Sequence, residues 1–263
     1  SFSWYLNFVL YFQSDTQTFK YLELGPLFGW HVLRLSIIIP TYKEAENLKI
    51  LIPQLVERFN PYEIIVVDDD SEDGTNYMHN ALMKIITRTE ERGIGSAIAR
   101  GYDEAKGDVL LSIDADLSMD LNDVPKMLSM LDENDVIVGS RYIPGGQNRK
   151  EAFLPRLASV VGNWMFKAVF KLPIKDVSMN FRVLKKATWK QIITTENTNV
   201  MLLEMLVNAH EKGFKIAEVP TVFKERVHGE TKTRVFRLTV KYIKFIAKYL
   251  YTKGFGFNTG GTV

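Results

Sequence analysis

The chain has 263 residues, 46% of them hydrophobic and 24% charged, with a net charge of +2. That composition is ordinary for a globular protein, and the length suits one large domain, alone or with an appendage. No cysteine is present, which excludes disulfides, zinc–thiolate centres and a cysteine nucleophile; the near-neutral balance confines any electrostatic message to local clusters.

Residues 1–34 form an N-terminal extension to which the sequence assigns no role. SFSWYLNFVLYF (1–12) is shorter than the ~18 apolar residues of a spanning helix and lacks the features of a signal peptide. From residue 35 the pattern sharpens. LSIIIP (35–40) is an apolar run closed by proline, as in a fully buried strand. EAENLKILIPQLVERF (44–59) predicts a helix with Leu48, Leu51, Ile52 and Leu55 on one face, and Pro53 predicts a kink or a break in it. EIIVVDDDS (63–71) is a second buried strand running into an acidic turn, with a helix expected after SEDGT. KIITR (84–88) is a short third strand, and GIGSAIARGYDEAKG (93–107) a helix. DVLLSIDAD (108–116) predicts a fourth strand that ends in acids. DVPKMLSMLDEN (123–134) reads as a helix and DVIVGSR (135–141) as a fifth strand.

Continuous Val/Ile/Leu strands alternating with helices predict an α/β fold with a mostly parallel sheet sandwiched by helices. Ligands of such sheets sit beyond the carboxyl ends of the strands. The polar clusters Pro40–Glu44, Asp68–Asp70, Asp114–Asp116 and Ser140–Arg141 all fall there.

Asp114 and Asp116, at strand spacing, would point to one side, where two carboxylates repel unless a cation joins them. Oxygen ligands with open positions suit Mg²⁺ or Mn²⁺ holding a diphosphate. A solvated, capping acidic turn is the competing reading of this pair. Asp68, Asp69 and Asp70 have no basic neighbour in sequence, and a carboxylate there can accept hydrogen bonds from a base or ribose; an N-cap in a solvated loop is the alternative. GxGxxG, GxxxxGK[ST] and GxSxG are all absent, which argues against dinucleotide, P-loop and serine-hydrolase chemistry. The four histidines are scattered and form no metal pattern.

IIIPTYKEAENL (37–48), IIVVDDDSEDGT (64–75), GIGSAIARG (93–101), DADLS (114–118), VGSRY (138–142), DVSMNFR (176–182) and EVPTVFKERVHGETK (218–232) resemble, in order, the motifs of the family 2 glycosyltransferases of the GT-A fold. Within that family they look most like the dolichol-phosphate mannose synthases and related polyprenyl-phosphate hexosyltransferases. The resemblance covers about residues 35–232, the expected transferase domain. It implies that Pro40, Tyr42 and Glu44 line the nucleotide pocket and that Asp69, with Asp68 beside it, contacts the base. It implies that Asp114 and Asp116 hold the donor diphosphate through the metal, with Ser118 as a third, weaker ligand where the family often has Gln. Arg141, Arg156, Ser159, Arg226 and Lys232 would bind the acceptor phosphate, and Asp116, Arg141 and Arg226 would carry the chemistry. Lys43 stands where the family often has Asn. Met179 and Asn180 stand where its SGFR motif has Ser and Gly, and GETK replaces GESK.

A phosphate acceptor is already anionic near neutral pH, so no strong general base is required, in keeping with the lack of a convincing histidine. The resemblance implies single displacement with inversion, with mannose from GDP-mannose the favoured donor. Alternatives are glucose from UDP-glucose, a soluble glycan acceptor, or an inactive binding subunit.

RLASVVGNWMFKAVFKL (156–172) predicts an amphipathic helix. Arg234, Arg237, Lys241, Lys244 and Lys248 fall on one face of a second, over 233–263, flanked by Phe236, Val240, Ile243 and Leu250. A basic stripe with an apolar flank reads as a helix lying on an anionic bilayer, and no nucleic-acid partner is expected. The expectation is a peripheral protein on the cytoplasmic face of a membrane, held by surface helices or by a separate membrane subunit.

Overall fold

The structure is a computed structural model that describes residues 33–78, 81–149, 153–224 and 235–253; the side chains of 153–158 and 235–237 lie outside the description. Its centre is a seven-stranded sheet. In chain order the strands are β1 (Leu35–Thr41), β2 (Glu63–Asp68), β3 (Met83–Thr87), β4 (Val109–Ser112), β5 (Val136–Ser140), β7 (Arg182–Lys185) and β8 (Ile216–Pro220). They lie in the order β3-β2-β1-β4-β7-β5-β8. A separate ladder pairs β6 (Gln147–Asn148) with β9 (Val222–Phe223).

All seven residues of β1 are buried, as a strand covered on both faces requires. β1 runs parallel to β2 and β4, and β2 runs parallel to β3. β7 is antiparallel to both β4 and β5, so β5 points the same way as β1, β2 and β4. The four strands whose ends carry polar clusters therefore open at one edge, as expected.

Helix α1 (Ala45–Phe59) buries Leu48, Leu51, Ile52 and Leu55. It continues through Pro53 without a break. Helix α2 (Ile94–Glu104) packs on β1 and β2. A Cβ at Gly101 would come within 2.4 Å of Ile38, so glycine permits that close approach.

Three expectations are corrected. No α-helix follows SEDGT among the described residues: one 3₁₀ turn, Thr75–Tyr77, takes its place. The helix expected over 123–134 is only α3 (Val124–Ser129), flanked by 3₁₀ turns at Leu121–Asp123 and Met130–Asp132. β4 stops at Ser112 instead of running to Asp116, because the chain must turn to meet the loop that precedes β7.

Helix α4 (Phe153–Phe170), short helix α5 (Lys186–Trp189), α6 (Val200–Glu211) and α7 (Val235–Thr252) complete the fold. α6 is buried on nearly every side, which its uniform apolar run allows. Aromatic contacts join α4 to α7: Phe166–Tyr242 at 4.8 Å, Phe170–Phe245 at 5.8 Å and Phe170–Tyr249 at 4.7 Å between ring centroids. α7 therefore packs through Tyr242 and Phe245. Val240 and Ile243, two of the four expected flank residues, stay exposed beside Lys241, Lys244 and Lys248. No described helix is long and apolar enough to cross a membrane.

Candidate active site

The acidic turn after β2 is built into the loop after β1. The Asp69 amide donates to Thr41 O (3.1 Å), the Lys43 amide to Ser71 Oγ (2.8 Å), and the Ala45 amide to Asp73 Oδ2 (3.0 Å). Pro40 is buried at the end of β1, while Tyr42 and Glu44 are half-buried on the loop beyond it. Glu44 Oε2 accepts from Asn47 Nδ2 (2.6 Å).

The three acids have different fates. Asp68 accepts from both the amide (3.0 Å) and the hydroxyl of Ser71. Asp69 Oδ1 accepts from Arg88 Nε (2.9 Å) and Nη2, and its Oδ2 from the Gly93 amide (2.8 Å). Asp70 Oδ2 has a 3.4 Å contact with Arg92. The acids have no basic neighbour in sequence but gain them in space: Arg88 and Arg92 arrive from the loop after β3. Arg88 is buried and also donates to Ser96 Oγ (2.8 Å) and Gly93 O (2.9 Å). Gly93 has φ +135°, and a Cβ there would meet Asn197 O at 2.2 Å. Only glycine lets the start of α2 approach the loop before α6 this closely.

Asp114 and Asp116 leave β4 in a turn, not at strand spacing, with Leu117 in the left-handed region (φ 61°). The turn still brings both carboxylates to the same edge. Asp114 Oδ1 accepts from Asn180 Nδ2 (2.8 Å). Register explains the partner: Ser112 pairs with Arg182, so two residues further along each strand Asp114 faces Asn180. Asp116 is buried, and its Oδ1 accepts from the amide (3.1 Å) and hydroxyl of Ser118. Ser118 therefore serves first as the donor that orients Asp116.

Among the described residues no group of three or more His, Cys, Asp or Glu side chains could hold a metal by itself. Two carboxylates, each with one oxygen fixed by a protein donor, suit a hard divalent cation whose shell is completed by substrate oxygens and water.

On the other flank, buried Arg141 donates from Nε to Asp176 Oδ2 (2.8 Å), and from Nη2 to Asp176 Oδ1 (3.0 Å) and Ser178 Oγ (2.8 Å). The Asp176 amide is held by Glu218 Oε1 (2.9 Å). Arg182 lies beneath, fully buried, donating to the carbonyls of Met179 (2.8 Å), Leu202 (2.6 Å) and Val177 (2.7 Å). Burial pushes its guanidinium down to about 10, against the opposing pull of Tyr102 and Asp176. Arg182 thus ties the loop that carries Asp176, Ser178 and Asn180 to α6.

Ser159 on α4 accepts from the Tyr142 hydroxyl (2.7 Å), which sets α4 beside Arg141. The side chain of Arg156 and all of Arg226 and Lys232 lie outside the described residues. The chain approaches that last segment along the turn that carries Asp114 and Asp116: the Lys224 amide donates to Ser118 O (2.7 Å), and Lys224 Nζ pairs with Asp120 at 3.0 Å. Burial works against ionisation of Asp120, but Lys224 and the Asn122 amide outweigh it and hold the carboxyl below its usual range.

The profile of the Glycosyl transferase family 2 domain matches residues 36–191, which span β1 to α5 and both acidic turns. The chain belongs to glycosyltransferase family 2. It is 31% identical to a dolichol-phosphate mannosyltransferase of Saccharomyces cerevisiae over 86% of its own length and 90% of that protein's. It is 34% identical to the Pyrococcus furiosus protein of the same name, over 84% of the chain but only 65% of that relative. A polyprenol monophosphomannose synthase of Mycolicibacterium smegmatis is 29% identical over 76% of the chain and 80% of that protein.

Among solved structures, glucosyl-3-phosphoglycerate synthase from Mycobacterium tuberculosis, in complex with Mn²⁺, UDP and phosphoglyceric acid, superposes with a TM-score of 0.62. It covers 83% of this chain and 78% of that one at 16% identity. That likeness carries the fold, and the GT-A architecture expected of this family 2 chain is met. Arg88, Arg92, Asp176, Ser178 and Arg182 were not picked out as site residues from the sequence. Arg88 and Arg92 meet acids 19 and 22 positions away, Asp176 and Ser178 meet Arg141, and Arg182 reaches carbonyls as far away as Leu202, so none of these roles shows locally.

Proposed function

We propose that this family 2 glycosyltransferase moves mannose from GDP-mannose to the phosphate of dolichol or another polyprenol, in a metal-dependent, inverting reaction at the cytoplasmic face of a membrane. One observation carries the reading: the two acidic turns and the Arg141–Asp176 pair share one sheet edge in a chain 31% identical to nearly the whole of the yeast dolichol-phosphate mannosyltransferase. Asp68 and Asp69 hold the nucleotide pocket in shape, with Pro40, Tyr42 and Glu44 along its wall. Asp114 and Asp116 hold Mg²⁺ or Mn²⁺, which neutralises charge on the departing nucleoside diphosphate. Crystals of the mycobacterial fold neighbour with UDP and Mn²⁺ or Mg²⁺ support divalent metal use in this fold.

Arg141, Arg156, Ser159, Arg226 and Lys232 receive the acceptor phosphate. Asp176 pre-orients the Arg141 fork, which matches phosphate oxygens better than an ammonium does. Because the acceptor oxygen is already anionic, the protein acts by positioning and by stabilising the leaving charge. The membrane contact falls to α4 and α7, where Trp164 (71% exposed) and Ile243 (56% exposed) stand among exposed lysines. A separate membrane subunit would add to that hold.

The test offers the purified chain polyprenyl phosphate and Mg²⁺ or Mn²⁺ with labelled GDP-mannose and UDP-glucose in parallel. Label extracted with the lipid from GDP-mannose supports the reading. Label from UDP-glucose alone changes the sugar, and label only in a soluble glycan changes the acceptor.

A further inference from the structure

Each acid of the turn after β4 has one oxygen held by a protein donor. Asp114 Oδ1 accepts from Asn180 Nδ2 (2.8 Å), and Asp116 Oδ1 from the Ser118 amide (3.1 Å) and hydroxyl. The two donors differ in origin. Ser118 lies in the same turn, so its amide arrives with the turn itself. Asn180 comes from the loop before β7, 66 positions away in the chain, and is 3% exposed. Its Oδ1 is buried and has no hydrogen-bond partner among the described residues. An amide kept only for structure bonds at both ends, because a buried orphan oxygen costs about 1–3 kcal/mol. Asn180 bonds at the end that meets Asp114. Its place is firm: Arg182 grips the same loop through the carbonyls of Val177 (2.7 Å) and Met179 (2.8 Å).

Resting on the donor-site reading above, we propose that Asn180 is a positioning residue that makes Asp114 a one-oxygen ligand and so selects a small octahedral cation over Ca²⁺. A carboxylate ligates a cation through one oxygen or through both. Mg²⁺ demands near-ideal octahedral geometry, which a carboxylate meets with one oxygen. Ca²⁺ is larger, takes about six to eight oxygens and readily accepts both from one carboxylate. An amide hydrogen bonded to Oδ1 occupies lone-pair space that two-oxygen ligation needs, and it fixes the rotation of the carboxylate. Ser118 does the same to Asp116. The pair then favours an ion that takes one oxygen from each acid and fills its shell with substrate oxygens and water. Without the Asn180 donor, Asp114 could turn and ligate through both oxygens.

The test is calorimetric titration of the full chain with guanosine and uridine diphosphates, each supplied as its Mn²⁺, Mg²⁺ or Ca²⁺ complex. It is repeated on Asn180→Ala, which removes the donor, and on Asn180→Asp, which keeps the shape but puts a third carboxylate in the donor's place. For whichever nucleotide binds more tightly, the unaltered chain should take the Mn²⁺ and Mg²⁺ forms at least about tenfold more tightly than the Ca²⁺ form. Asn180→Ala should narrow that ratio to less than about threefold, with weaker Mn²⁺ and Mg²⁺ binding and Ca²⁺ binding unchanged or tighter. Asn180→Asp should bring Ca²⁺ level with Mg²⁺ or ahead of it, so the prediction stands on this variant if the alanine chain does not fold. A purely structural role would weaken all three forms by one factor and leave the ratio intact. That result would overturn the proposal, as would an unaltered chain that binds the Ca²⁺ and Mg²⁺ forms equally. Failure of the unaltered chain to bind either nucleotide with any of the metals would instead bring down the donor-site reading, and this role with it.

Discussion

The most consequential single residues beneath the site touch no proposed substrate. Arg182 is a buried cation answered by three carbonyls rather than by a bonded carboxylate. Arg182→Leu would take a donor from each of those carbonyls and should lower unfolding stability by about 3 kcal/mol or more, read by denaturant titration. Asp176→Asn is gentler in shape but strips the charge from Arg141's partner in a dry setting. A loss of about 3 kcal/mol is expected, with weaker phosphate binding by the same variant. None of this was visible locally. DVSMNFR could be recognised as a motif, but the acceptors of Arg182 lie as far away as Leu202 on α6. The acids themselves were legible, because short polar clusters after apolar runs mark the carboxyl ends of strands. What each acid binds was not legible, since Arg88 reaches Asp69 from 19 positions away across a parallel pair.

At the scale of elements, the strand core could be read directly. β1, β2 and β5 are uninterrupted buried runs, and a two-sided sheet asks for nothing else. Errors arose where tertiary contacts shortened an element. β4 ends at Ser112, with Asp114 beyond it bonded to Asn180 and Asp116 to Ser118, and α3 is trimmed by 3₁₀ turns at both ends. β7 escaped notice because it is four residues long, too short to show a period.

Lys224, just past β9, braces the turn that follows Asp114 and Asp116 through Asp120. Since the folded Asp120 carboxyl titrates below its ordinary value of 3.8, the pair's contribution is present above about pH 4 and lost as pH falls through the lowered value. Protection of the Lys224 amide, which bonds Ser118 O, should therefore drop below about pH 4. The loss is small, under about 1 kcal/mol, because the lysine is half exposed. α7 permits a larger test. Replacing Lys241, Lys244 and Lys248 together with glutamine should weaken binding to anionic vesicles about a hundredfold without unfolding the chain, because all three face solvent. Unchanged sedimentation with the vesicles would remove α7 from the membrane contact.

Across the whole molecule, one sheet edge gathers a braced acidic turn, a carboxylate pair and a buried arginine, while the α4–α7 pair offers exposed apolar and basic groups nearby. That arrangement suits bringing a soluble nucleotide-sugar to a lipid-borne phosphate. The most direct measurement is transfer of labelled mannose from GDP-mannose to polyprenyl phosphate by the unaltered chain and by Asp116→Ala, with and without Mn²⁺. The account predicts a lipid-extractable product of inverted anomeric configuration that requires the metal and falls at least about a hundredfold in the variant. Equal transfer by Asp116→Ala, or a product formed equally well without divalent metal, would contradict it.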